Sequence, residues 1–140
     1  MSLTPLDNLV KTGQIKNEPL NQQEFDGLVS SGQKRLKDSK NITLSYESRF
    51  DLAYNAAHSL ALAALRWHGY RSANRYLVFQ ALQHTIGAGP ELWRVLAKCH
   101  DCRNLSEYEG FMEVDEPLLR DLIIATQTLA DLINAYLKAN

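Results

Sequence analysis

Two stretches of this chain combine residue types that could handle a phosphate group. The first is Arg103-Asn104-Leu105-Ser106-Glu107-Tyr108-Glu109. Arginine presents a planar fork of donors that grips phosphate oxygens in pairs. Asn104 could orient the same group. Tyr108 can donate a hydrogen bond or serve as an acid, but with a pKa near ~10 only about one phenol in a thousand is ionised at pH 7. Glu107 is the nearest substitute base. A plainer reading stands beside this one: Arg103 and Glu107 are four apart, a helix-surface ion pair worth only ~0.3–0.5 kcal/mol. The second stretch runs from Arg66 to Tyr76 and interleaves basic with aromatic groups. Phosphate contact plus base stacking is how single-stranded RNA is often held, which makes Arg66, Tyr70, Arg71 and Arg75 candidate RNA- or phosphate-binding residues. The plainer alternative is a turn with Trp67 and Tyr76 packed inward and the arginines in water.

The remaining titratable residues carry less. Cys99-His100-Asp101-Cys102 is a lone C-x-x-C. Redox use expects an alternating strand–helix context, and zinc needs four ligands, which only His84 or His100 could help complete. No metal and no cofactor are expected. His58 reads as a hydrogen-bonded core histidine, and His68 and His84 as imidazoles at helix C-termini, where the dipole favours a cation.

The elements that must position these residues are helical. Sustained alternation of β-branched residues and Asn-Gly or Asp-Gly turns are missing. A short element covers about Pro5 to Lys11, and Thr12-Gly13 and Pro19 turn it into an extended arm. Asn21 caps the next helix, with Glu24 as capping-box partner, and Lys37-Asp38-Ser39-Lys40-Asn41 reads as a loop. Ser45 caps a long alanine-rich helix over about Tyr46–His68, apolar around so much of its circumference that it must be buried on several sides. Gly69 stops it. A fourth helix is expected over about Asn74–Thr85, with Leu77, Val78, Ala81 and Leu82 inward. Gly87-Ala88-Gly89 breaks it, Pro90 starts a fifth along Leu92, Val95, Leu96 and Cys99, and Asp115 caps a last helix to about Lys138. The pattern predicts one all-α domain over residues 1–140, an antiparallel up-and-down bundle of four to five helices, with residues 1–20 forming the short helix and arm.

Composition agrees with that class. The chain has 140 residues, 45% of them apolar, and only 7 Gly and 4 Pro, which excludes collagen-like and low-complexity readings. The uncharged run from Leu52 to Leu65 falls short of the ~18 residues of a membrane span. The first residues lack the pattern of a secretory signal, and with two cysteines this leads to the expectation of a cytoplasmic protein and no membrane partner. Charge is uneven. Residues 66–103 carry six basic and two acidic side chains, and residues 104–140 two basic and seven acidic. A basic middle third suits phosphate, although such charges often only solvate helix faces.

Arg103-Asn104 with a Tyr five residues after the Arg, set late in a helical bundle, resembles the active motif of the HEPN superfamily (higher eukaryotes and prokaryotes nucleotide-binding). The segment from Ser48 to His58 fits the same HEPN-like pattern. The family motif is an Arg, often followed by Asn, with a His a few residues on. Here Tyr108 stands where the His is expected. The resemblance implies a HEPN-like bundle that binds RNA or a nucleotide, non-catalytic or of degenerate activity. Its alternative is a metal-independent endoribonuclease of toxin–antitoxin type, with a minimal nucleotidyltransferase antitoxin as partner. Further alternatives are a structural or protein-interaction bundle. The resemblance also implies a homodimer, and assigns Arg103, Asn104 and Tyr108 as the catalytic set, to which Glu107 is added as the nearest substitute base. On an unbroken helix Arg103 and Tyr108 stand roughly 140° apart, so they meet only if the helix breaks or two subunits face each other.

Overall fold

A computed structural model of the chain describes residues 4–110 and 113–139. Residues 1–3, 111, 112 and 140 of the expected domain lie outside the described residues. The fold is an all-α helical bundle: α1 (Pro5–Lys11), α2 (Gln22–Ser39), α3 (Tyr46–Trp67), α4 (Arg75–Gln80), α5 (Leu82–Thr85), α6 (Pro90–Glu109) and α7 (Glu116–Ala139). Side-chain caps start the helices where the sequence places them. Asn21 Oδ1 accepts from the Glu24 amide at 3.0 Å, Ser45 Oγ from Ser48 at 3.1 Å, and Asp115 Oδ1 from Leu118 at 2.9 Å. Gly69 and Gly110 take the left-handed conformation at φ 87° and 80°, which ends α3 and α6.

α3 is the centre of the bundle. Phe50, Ala53, Tyr54, Ala56, Ala57, Leu60, Ala61, Ala63, Ala64 and Leu65 are all buried along it. It packs on α2 along most of its length, on α7 from another side, and on α4 to α6 from a third. The α2 contact is close because Gly32 has no side chain: a Cβ there would stand 2.7 Å from Leu60 Cγ. α7 contributes Leu119, Leu122, Ala125, Leu129, Ala130 and Ile133 to the same core. Leu118 sits at the edge of that seam.

Four local features differ from the sequence reading. α2 runs on through Lys37-Asp38-Ser39, because Ser39 is buried and its main-chain oxygen accepts from Arg49 Nε at 2.8 Å. The expected Asn74–Thr85 helix is two pieces that part at Ala81. Phe79 is fully buried there, whereas Tyr76, expected inward, is exposed. Finally, Lys16–Asn17 (β1) and Tyr70–Arg71 (β2) form a two-residue antiparallel ladder that pins the N-terminal arm across the end of α3. It joins residues more than fifty positions apart, so no local pattern announces it.

Candidate functional site

The second candidate stretch divides in two. Arg66, expected at a phosphate-binding surface, is instead 1% exposed. Its Nε donates to Glu24 Oε1 at 2.7 Å, Nη1 to the Glu18 carbonyl at 2.8 Å, and Nη2 to the Pro19 carbonyl at 2.7 Å. Arg71 holds the Glu18 and Glu24 carboxylates alongside. These two guanidiniums keep the Glu24 carboxyl below the usual carboxylate range, with Arg71 the larger influence. Glu24 therefore serves the arginines rather than a capping box. Tyr70 donates to Asp7 Oδ1 at 2.5 Å, which raises the phenol's pKa and lowers that of the acid. Arg66, Tyr70 and Arg71 together clamp the arm to α3 and are a structural unit. The phosphate-facing role fails for Arg66 because a buried cation needs a full set of internal acceptors.

Arg75 belongs elsewhere. It leaves the start of α4 and lies over the Tyr54 ring, 5.5 Å from its centroid, with Nη1 donating to Asn55 Oδ1 at 3.3 Å. Arg103 reaches the same ring from α6, at 5.1 Å. One candidate from each stretch thus converges on one α3 tyrosine. Arg103 Nη1 donates to Glu107 Oε1 at 3.1 Å, and its Nε lies 3.5 Å from Asp51 Oδ1. The helical ion pair expected from spacing is present, and α3 adds a second carboxylate. Among the described residues, Arg75 has no carboxylate partner, so positive charge is left over at this junction.

Tyr108 does not join them. α6 is unbroken to Glu109, so the five-residue separation turns Tyr108 away, and it is 95% exposed. Asn104 does join, by a contact that the sequence reading missed: its Nδ2 is 3.0 Å from His100 Nε2. The other ring nitrogen, Nδ1, is 2.8 Å from Tyr54 Oη. An amide nitrogen can only donate, so Nε2 accepts, and the ring proton on Nδ1 is donated to the phenol oxygen. Burial lowers the His100 pKa, opposed by Asp101, which favours the neutral ring. Burial also raises the Tyr54 pKa, with Arg75 opposing. His58 flanks the group, edge-on to Phe79 with centroids 6.2 Å apart. Burial holds its pKa at about 4, and among the described residues its ring forms no hydrogen bond, contrary to the core-histidine expectation.

A signal for this site did exist in the sequence. Asp51, Tyr54, Asn55 and His58 follow the spacing i, i+3, i+4, i+7, and so do His100, Arg103, Asn104 and Glu107. Each set is a polar stripe on one helix face, and the two stripes face each other. The Cys-x-x-C shows no reactive thiol at Cys99, which is buried and pushed up to about 12. Among the described residues no three His, Cys, Asp or Glu side chains gather with metal-ligand geometry, and no helix is long and apolar enough to cross a membrane. Two surface clefts flank Ile124 on α7, and none of the cluster residues lines either one. No protein-family model matches the chain, and no curated protein or solved structure matches it.

Proposed function

We propose that this chain is a HEPN-like up-and-down bundle that binds RNA or a nucleotide through phosphate, at the junction of α3, α4 and α6. The observation that carries the reading is the convergence of Arg75 and Arg103 on the Tyr54 ring with fewer acceptors than their donors can serve. An anionic oxygen would supply the missing acceptors as charge-assisted hydrogen bonds. Arg75 and Arg103 hold the phosphate and Asn104 borders it. Tyr108 lies outside this site. Titration of labelled single-stranded RNA at low salt tests the reading. Binding should weaken as salt rises, and Arg75→Ala and Arg103→Ala should each reduce the slope of log affinity against log salt by about 1. Absence of any low-salt binding would leave only a structural or protein-interaction role.

A metal-independent endoribonuclease of toxin type is the second reading, and the presence of a histidine beside Arg103 favours it. The nucleotidyltransferase antitoxin goes with this reading, and the homodimer and the cytoplasmic setting go with both. It requires RNA cleavage in the presence of a chelator and the loss of that cleavage in Arg103→Ala.

A further inference from the structure

We infer that His100 Nε2 is the proton acceptor of the α3–α4–α6 site, held ready by Tyr54, for the 2′-hydroxyl of a ribose whose phosphate lies on Arg103. The inference rests on the phosphate-binding reading and goes beyond it, because neither composition nor the motif resemblance assigns His100 a role.

Three observations converge. Tyr54 is 1% exposed and lies 2.8 Å from Nδ1. A buried phenol oxygen that accepts the Nδ1 proton leaves the lone pair on Nε2 and fixes the ring plane, the task of an orienting group behind a catalytic base. Nε2 faces outward, toward the exposed Asn104, whose amide donates to it at 3.0 Å. That amide marks the place a ligand hydroxyl would take when the Asn104 side chain swings aside. The guanidinium next to it on α6 is Arg103, so phosphate and base would adjoin.

The other titratable groups at the junction fit the task less well. Glu107 is engaged by Arg103, and Asp51 lies against the same guanidinium. His58 has no partner to fix its tautomer and sits edge-on to Phe79. Facing His100 are Tyr54 and His58 from α3, Arg75 and Phe79 from α4, and Asp101, Arg103 and Glu107 from its own helix. Among these, Arg75 and Arg103 favour the neutral ring and Asp101 and Glu107 the charged one, with burial the largest influence and on the side of neutrality.

The step balances without metal or redox partner. Nε2 takes the 2′-hydroxyl proton, and the freed oxygen pair forms a bond to the adjacent phosphorus. The P–O5′ bond breaks with its electrons on the 5′ oxygen. The imidazolium returns its proton to that oxygen, leaving a 2′,3′-cyclic phosphate and a 5′-hydroxyl. Arg103 stabilises the added charge on the phosphoryl oxygens throughout.

Single-stranded RNA of mixed sequence and its fully 2′-O-methylated counterpart, both in chelator, test the inference on the full chain. The wild type should cleave the first to cyclic-phosphate ends and bind the second. His100→Gln should lower cleavage at least about 100-fold and keep affinity for the methylated strand within about threefold. Tyr54→Phe preserves packing and should slow cleavage about tenfold while moving the low-pH limb of the rate profile. Melting curves of both variants establish that they fold. Binding of the methylated strand without cleavage of the other overturns the role of His100 and spares the binding reading. Cleavage by His100→Gln at the wild-type rate does the same. Failure of the wild type to bind the methylated strand at low salt overturns both.

Discussion

α3 carries an arginine cluster near each end, and the two are built on opposite plans. Around Arg66 every guanidinium nitrogen has an acceptor: Glu24, the carbonyls of Glu18 and Pro19, and a further carbonyl from Tyr70 at 3.3 Å. Arg71 doubles the carboxylate contacts. Around Tyr54, Arg103 has two half-exposed carboxylates, at 55% and 66% exposure, and Arg75 has the Asn55 amide oxygen and the Tyr54 phenol but no carboxylate among the described residues. Residue type is the same in both places. What separates scaffold from candidate site is how far internal acceptors saturate the donors.

Arg66→Met should break the saturated cluster most severely. It leaves the Glu18 and Pro19 carbonyls without their donor and Glu24 with Arg71 alone, and removing one partner of a buried pair costs ~3–5 kcal/mol. Urea unfolding measures this, and a loss below about 1 kcal/mol would mean the clamp holds nothing.

Acid should affect both regions through different groups. His58 has its folded value at about 4, below the ordinary 6.5. Between those values the unfolded chain binds more protons, so stability falls as pH drops, by on the order of 3 kcal/mol at pH 4. His58→Gln should flatten that slope. Glu24 is also held low, so its contribution is present above the ordinary carboxylate range and is lost as pH falls below it. Glu24→Gln should flatten only this more acidic part of the curve. If neither variant alters its window, the two regions are not the sources of the acid sensitivity.

The unsaturated cluster should show the reverse pattern of effects. Arg75→Ala with Arg103→Ala removes cation–π and part-exposed ion pairs, each worth about 0.5–1 kcal/mol. The double variant should therefore melt within a few degrees of the wild type yet bind RNA at least about tenfold more weakly. A double variant as unstable as Arg66→Met would place this cluster in the scaffold as well. Tyr108→Ala should have the smallest effect, within about 0.5 kcal/mol in stability and close to none in RNA affinity.

Much of the scaffold was legible because its signals are local. Asn21, Ser45, Pro90 and Asp115 start helices, and Gly69 ends one, each through chemistry within a few residues. The break at Ala81 carries no Gly or Pro, and the true end of α2 depends on Arg49 reaching Ser39 from the next helix. Arg103, Asn104 and Arg75, singled out by type and spacing, lie at the candidate site. Tyr54 and His100 meet across 46 positions, so their pairing exists only in the folded chain. Arg66 was assigned to the wrong region for the same reason, since three of its acceptors lie more than forty residues upstream.

The clamp has a consequence for how this chain can vary. Two of the oxygens that satisfy Arg66 belong to the main chain at Glu18 and Pro19, not to side chains. Main-chain oxygens are present whatever residue occupies a position. The anchor therefore reads the route of the arm rather than its lettering: replacement of Pro19 keeps the oxygen available provided the route is kept, while a one-residue deletion between Gly13 and Pro19 shifts both oxygens out of reach. Related chains should hold the length of that stretch constant and keep Ile15, which is buried, and Glu18, whose carboxylate Arg71 holds, while Lys16 and Asn17 vary in type.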